Sequence, residues 1–526
     1  MNVRKIFLHA ALILTSVLFV LMFSYSTSPL YNLLGGDSAI FQVVGKYWAQ
    51  GYLPYVNVFD HKGPLIFFVN AVGYMIHPRT GVAVIQIIAL YVSLMFVWRA
   101  MSLYSASTAA KIFFMAFTLI YHAAHCEEGN HVTEYTLPFL SASAYCFLRT
   151  LKNSADGKFY CPPIVGAVYG VGFGACVLIR TSDAAQICCE IFLSAIFLLQ
   201  AREFKTLLKN FLSGVAGFAA IVAPFALYFA AHGIFYDALY GTILLNLNYA
   251  EHAQIVVTPA IRLLHAAIHH TPLFVMMFVA VVALKKFSSR LLWSGLFIAA
   301  AMLLMFLKLR PADNYAMIFL AVAPILFAVL CESSDVLQKI WCAPKVSSVR
   351  LCMKVAGIFV VIHVCIMATF VKSVLLAEDS AAEIFFTAYS KRAELLNVNE
   401  RENILRLRDM IPEAERSSFA CWAGFCSGSH WILRADMLPR ERFFMNNGLL
   451  AKMDPNVRAE FFGNVRRDYP LWIIYGVSPD RNFDEPPKFL DEDVELERLL
   501  AERYTLRGEV YIWPQLMKLY RLKSAQ

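Results

Sequence analysis

The residues best suited to chemistry sit in the first polar stretch after the first apolar run. Gly35-Gly36-Asp37-Ser38 opens that stretch and Phe59-Asp60-His61-Lys62-Gly63-Pro64 closes it. Paired glycines let the backbone turn tightly and approach a ligand closely. A carboxylate at Asp37 can then act as a general base toward a hydroxyl, or it can be a helix cap. Lys62 offers a compact positive charge for a phosphate, or a polar anchor at a membrane surface. His61 suits hydrogen bonding better than proton carriage, with Asp60 as its acidic neighbour.

A second polar cluster lies between two apolar runs. It reads His125-Cys126-Glu127-Glu128-Gly129-Asn130-His131-Val132-Thr133-Glu134-Tyr135. Such a density of acids and histidines suits a cation or a sugar, or is a solvated loop. The spacing matches no transition-metal site, so a divalent cation stays open and no other cofactor is called for. Arg180 and Arg310 each end an apolar run. Guanidinium groups chelate phosphate oxygens. Lipid headgroups, or pairing with Asp183 and Asp313, are their other possible partners.

Apolar helices must position these groups. The chain has 526 residues, 59% hydrophobic and 16% charged, whereas soluble chains carry roughly 25% charged residues. That composition describes a polytopic α-helical membrane protein. The net charge of +8 then reflects basic cytoplasmic loops rather than nucleic-acid binding. With roughly 20 apolar residues needed per crossing, about eleven transmembrane helices are expected. They fall near 6–25, 81–101, 109–125, 134–150, 160–179, 184–200, 210–231, 271–287, 291–308, 315–331 and 351–373. The run 64–77 is too short to cross and reads as an interfacial or re-entrant piece. The first run follows Arg4 and Lys5 and no A-x-A site follows it, so it reads as an uncleaved helix.

Loop charges orient the chain. With the N-terminus in the cytoplasm, the inner loops hold Arg99 and Lys111, then Arg149 and Lys152, then Lys205 and Lys209, then Lys285 and Lys286, then Lys339 and Lys345. Every inner loop is then basic, as the positive-inside rule requires. The loop 26–80, the loop 125–134, Arg180, Arg310 and everything after 373 therefore face outward. This divides the chain into a membrane domain, 1–376, and a small extracytoplasmic α/β domain, 377–526. In the latter a helix is expected from Glu394 to Met410, and strands at Ser418–Trp422, Leu471–Tyr475 and Glu509–Trp513. Asp454-Pro455 reads as the N-cap and first residue of a helix reaching Arg467. Cys421 and Cys426 lie in this domain and can pair if the compartment is oxidising. Gly166, Gly170 and Gly174 form a small-residue stripe for close helix packing. Pro224 and Pro324 lie inside spans.

The order of motifs resembles bacterial members of the glycosyltransferase C superfamily, nearest the protein mannosyltransferase and aminoarabinose transferase group. The resembling pieces are Gly36-Asp37-Ser38, Gly51-Tyr52-Leu53-Pro54-Tyr55, Phe59 to Leu65, and Gly129 to Pro138. The resemblance implies many membrane helices, with a large first outer loop carrying juxtamembrane helices. It implies a sugar donor linked to a polyprenyl phosphate, used on the extracytoplasmic face of a bacterial inner membrane. Asp37 would be the catalytic carboxylate, and Glu128 or Glu134 the second-loop acid. Lys62 would lie near the donor phosphate, with Arg180 and Arg310 as further cations. Asp60, His61, Asn130 and Tyr315 would support them. Many relatives have Asp-Glu where Asp37-Ser38 stand, and His-Tyr where Asp313-Asn314-Tyr315 stand. The expected activity is transfer of the sugar, with inversion, to a hydroxyl of a glycan, lipid or protein. A flippase of lipid-linked sugars and a non-enzymatic membrane scaffold are the alternatives.

Overall fold

The computed structural model describes residues 3–31, 33–126, 128–154, 159–247, 259–308, 313–341, 400–444, 450, 454–477, 494–512 and 515–523. The helices run α1 Val3–Phe23, α2 Asp37–Ala49, α3 Pro64–Ile76, α4 Gly81–Met101, α5 Thr108–His125, α6 Val132–Asn153 and α7 Pro163–Val177. They continue with α8 Ala185–Gln200, α9 Phe204–Ala231, α10 Phe235–Leu239, α11 Pro259–His269, α12 Thr271–Leu284, α13 Arg290–Lys308 and α14 Phe319–Trp341. Short 3₁₀ turns, Thr181–Ala184 and Asp313–Ile318, lead into α8 and α14.

Among the described residues, six helices are long and apolar enough to cross a membrane: Val3–Phe23, Gly81–Met101, Thr181–Gln200, Phe204–Ala231, Arg290–Leu307 and Asn314–Ser334. The expected eleven are not reached on that measure. α3, α7 and α12 are shorter apolar helices. α5 and α6 form where expected, but α6 carries Glu134, Arg149 and Lys152 along its length. The expected span 351–373 lies outside the described residues. Only 11% of the most apolar stretch of α9 is buried, against 83% for Asn314–Ser334. An apolar helix so little covered by protein needs an apolar solvent around it.

The glycine stripe has a packing role. A Cβ on Gly170 would lie 1.9 Å from the Gly214 carbonyl oxygen, and one on Gly166 would lie 2.2 Å from that of Asn210. α7 thus lies backbone to backbone against α9. Asn210 ties the pair, accepting from the Gly166 amide at 3.0 Å and donating to the Cys161 carbonyl at 2.8 Å.

The C-terminal part is α/β, as composition suggested. It comprises α15 Glu400–Arg408, β1 Phe419–Trp422, α16 Phe425–Ala435, α17 Pro455–Asp468, β2 Trp472–Val477, α18 Val494–Arg503, β3 Tyr504–Ile512 and β4 Gln515–Leu522. The sheet order is β1-β2-β4-β3, with β1 parallel to β2 and the other pairs antiparallel. Asp454 caps α17 through the Asn456 amide at 2.8 Å, with Pro455 at its first turn. Cys421 and Cys426, whose pairing the sequence left open, are buried free thiols. One face of the sheet closes over α17 and α18. The other shares a single buried cluster with α2, α3 and the loop between them, including Phe41, Phe59, Phe67, Trp431 and Phe444.

Gly170→Val should lower the melting temperature of the detergent-solubilised protein, at a cost of about 1–3 kcal/mol, typical of overpacking. An unchanged melting temperature would mean that α7 and α9 are not apposed in this way.

Candidate functional site

The site is built on the N-terminus of α2. Asp37 is the first residue of that helix and is half-buried. Gly35 turns the chain into it with φ +74°, a conformation that costs glycine least. Glu128 from the second polar loop holds the turn. Its carboxylate accepts from the Gly36 amide at 2.7 Å and from the Ser38 amide at 3.0 Å. A carboxylate is well placed at a helix N-terminus, where unpaired amides carry partial positive charge. A Cβ at Gly35 would lie 2.7 Å from Glu128 Cδ, so the contact also depends on a glycine there.

Asn130 braces the same turn from beneath. It adopts φ +58°, donates to Ser38 Oγ at 3.0 Å and to Asn70 Oδ1 at 2.9 Å, and accepts from Tyr135 Oη at 2.6 Å. Ser38 stands where an acid was expected from the resemblance. Its hydroxyl is buried and accepts from Asn130 and from Gln42 Nε2.

Glu134 is turned inward. One carboxylate oxygen accepts from the His131 amide at 2.9 Å and the other from Gln86 Nε2 at 2.6 Å. It caps α6 and ties it to α4. Glu128 and Glu134 are thus both engaged by donors, and Asp37 is the carboxylate placed at the head of α2.

Lys62 is delivered by the close approach of Gly63 to the end of α7. A Cβ there would lie 2.2 Å from the Leu178 carbonyl oxygen, and the Leu65 amide donates to that oxygen at 3.0 Å. Lys62 Nζ lies 3.3 Å from His61 Nε2, and His61 Nδ1 lies 3.2 Å from Asp60. Burial would lift the Asp60 carboxyl, but His61 and then Lys62 outweigh it and hold it below the usual carboxylate range. Asp60 therefore stays charged and orients the pair above it.

Three residues beyond α7, Arg180 donates to Asp183 at 2.7 Å and to Thr133 Oγ1, and lies 4.6 Å over the Tyr315 ring. Burial works against its charge, yet Asp183 foremost, then Tyr315 and Asp37, hold it. His131 lies amid the cluster. Burial pushes its imidazole down to about 4, opposed by Asp37 and reinforced by Arg180 and Lys62. The site therefore joins Asp37, Lys62, Arg180 and a neutral His131, with Tyr315 behind the arginine. Arg310 lies outside the described residues. Among those residues no group of three His, Cys, Asp or Glu side chains is arranged to hold a metal.

The C-terminal part closes over the turn, which hydropathy did not reveal. His430 on α16 lies 2.6 Å from the Gly35 carbonyl and 3.0 Å from Glu400 Oε2. Both neighbours can only accept, so both ring nitrogens donate and the ring is an imidazolium. Burial opposes that charge, but Glu400 and the Gly35 carbonyl raise the pKa above its ordinary value. The Cys426 thiol, at the start of α16, is pushed up by burial first and then by Glu128, Asp37 and Glu400.

A family model described as "Putative competence-induced protein Ccs4 N-terminal domain" matches residues 1–378, and the chain belongs to that family. No curated protein matches by sequence. Among solved structures, the oligosaccharyltransferase of Archaeoglobus fulgidus, tethered with an acceptor peptide via a disulfide bond, is similar at TM-score 0.42 and 14% identity. The match covers 89% of this chain and 69% of that one. Likeness at that distance carries no chemistry across.

His430→Gln keeps one donor and loses the other bond. It should destabilise the protein by about 1–3 kcal/mol, the cost of a broken buried hydrogen bond to a charged group. A raised folded pKa gives stability that is full below the unfolded value of about 6.5. It is lost as pH rises through the folded value. The difference between wild type and His430→Gln in chemical denaturation should therefore shrink on going alkaline. A difference that grows with pH would show the ring to be neutral.

Proposed function

We propose that this member of the family is an integral-membrane glycosyltransferase. It moves a sugar from a polyprenyl-phosphate-linked donor to an acceptor hydroxyl of a cell-envelope glycan, a lipid or a protein. The observation that supports this most is that Asp37 and Lys62, from the two ends of the first polar stretch, and Arg180, from beyond α7, all act electrostatically on the one buried His131. The basic residues in the alternate loops support a cytoplasmic N-terminus and an extracytoplasmic site, and the proposed membrane is a bacterial inner membrane.

The chemistry follows from the residue types. The acceptor oxygen attacks the anomeric carbon and forms the new glycosidic bond. The bond from that carbon to the phosphate oxygen breaks, and polyprenyl phosphate leaves with the electron pair. Asp37 takes the acceptor proton. Phosphate is a competent leaving group, so no strong acid is required. Lys62 and Arg180 offset the charge that develops on it, and Arg310 is the proposed third cation. One base and direct displacement give inversion, by analogy with inverting glycosidases. Glu128, Glu134, Asn130, Asp60 and His61 are positioning residues in this scheme, and Tyr315 holds the Arg180 guanidinium.

The test is sugar transfer from a panel of polyprenyl-phosphate sugars in purified membranes, with products read by mass spectrometry. Asp37→Asn should reduce turnover by about 10²–10⁴-fold, the worth of a positioned base, while the melting temperature holds. Full activity in that variant would remove Asp37 from the mechanism. A folded wild type that flips the donors but transfers none would replace the transferase with the flippase.

A further inference from the structure

A polar cavity lies against a face of α2 other than the one that carries Asp37. Gln42 and Lys46 line it, one and two turns beyond Ser38, whereas Asp37 is offset by about 100° of helix rotation from Ser38. Its volume is about 720 Å³, within the range of small-molecule sites. Its walls come from the first polar loop, the start of α4 and the C-terminal part, so it exists only where they meet.

Its lining is cationic. Arg79, Arg401, Arg434 and Lys46 face it, against Asp436 as the acid among its lining residues. Asp436 is paired with Lys46. Glu400 stands behind, 3.8 Å from Arg434 Nε and shared with His430. Arg79 donates to the Tyr31 carbonyl. The Arg434 side chain is only 9% exposed. Burial lowers the pKa of both Arg79 and Arg434, and Arg401 lowers both further. Like charges gathered around one partly buried space cost stability unless something anionic enters it. Three forked guanidinium groups match the oxygens of a phosphate better than those of a lone carboxylate.

We propose that this cavity binds a phosphate-class oxyanion, held by Arg79, Arg401 and Arg434 at the seam between the first polar loop and the C-terminal part. The proposal does not rest on the transferase reading, and it uses none of Asp37, Lys62 or Arg180. The cavity is nevertheless wired to the Asp37 turn. Arg434 meets Glu400, Glu400 meets His430, and His430 holds the Gly35 carbonyl. An anion that draws Arg434 away from Glu400 alters the partner of the imidazolium that fixes the turn.

The experiment is calorimetric titration of inorganic pyrophosphate into the purified full chain in phosphatidylcholine nanodiscs. Saturable binding is expected. Arg401→Gln and Arg79→Gln should each weaken it about tenfold or more, the worth of one charge-assisted hydrogen bond. Arg401 is exposed, so its variant folds whatever the role of Arg79. Lys62→Gln should leave binding unchanged. A repeat with phosphatidic acid in the disc separates two sources of the same chemistry. Competition would identify a lipid headgroup, and its absence a water-borne phosphate compound. No saturable binding, binding indifferent to both arginine variants, or binding abolished by Lys62→Gln would each overturn the proposal.

Discussion

One carboxylate governs the geometry of the whole site. Glu128 reaches across from the second polar loop and accepts two backbone amides at the head of α2. Helix starts leave such amides without intrahelical partners, and here an acid from another segment satisfies them. The bond fixes where α2 begins, and so where Asp37 points. It also fixes the second loop, whose Asn130 and His131 then fall beside the same turn. The two loops also meet through Asn130, which donates to Ser38 and Asn70, and through Ser26, whose amide donates to the Glu128 carbonyl and whose hydroxyl donates to the Gly129 carbonyl.

That arrangement must be held against the freedom of a loop more than fifty residues long, 26–80. The chain solves this by giving the loop a core. α2 and α3 bury their apolar faces in one cluster with the C-terminal part. Phe59 packs on Phe443 at 4.9 Å, and its amide donates to the Arg442 carbonyl at 3.0 Å. Arg442 in turn grips Glu460 through two bonds of 2.8 Å and donates to the Tyr55 carbonyl at 3.0 Å. A bidentate pair loses less side-chain entropy per bond than two single contacts. The C-terminal part is therefore a clamp on the loop that carries the site, rather than an appended module.

Much of this was legible beforehand. Long apolar runs gave the helices, since only a helix satisfies its own backbone in a membrane. Asp454-Pro455 announced α17, because a capping acid followed by proline is a local signal. The motif with Asp37 announced a turn, because two glycines precede it. Other features carried no such mark. β4 has an alternating pattern but two charges, Lys518 and Arg521, and was not seen as a strand. α16 holds two serines, a histidine and a glycine, so it did not read as a helix at all. Its helical state is fixed by packing on α2, with Trp431 fully buried there.

The sequence by itself determined that the chain is helical and membrane-embedded, that its acids and cations gather in polar segments between apolar runs, and that an α/β part follows. Those are properties of composition and periodicity, which depend on near neighbours. Only the tertiary structure decided the roles. Glu128, Glu134 and Asp37 are alike in sequence, yet two are engaged by donors from other segments and one is left at the head of a helix. Likewise, nothing in the sequence connects Arg79 with Arg401 and Arg434, more than three hundred residues apart. Hydrogen bonding and charge act over a few ångströms of space, and chain separation does not reveal which groups will share it.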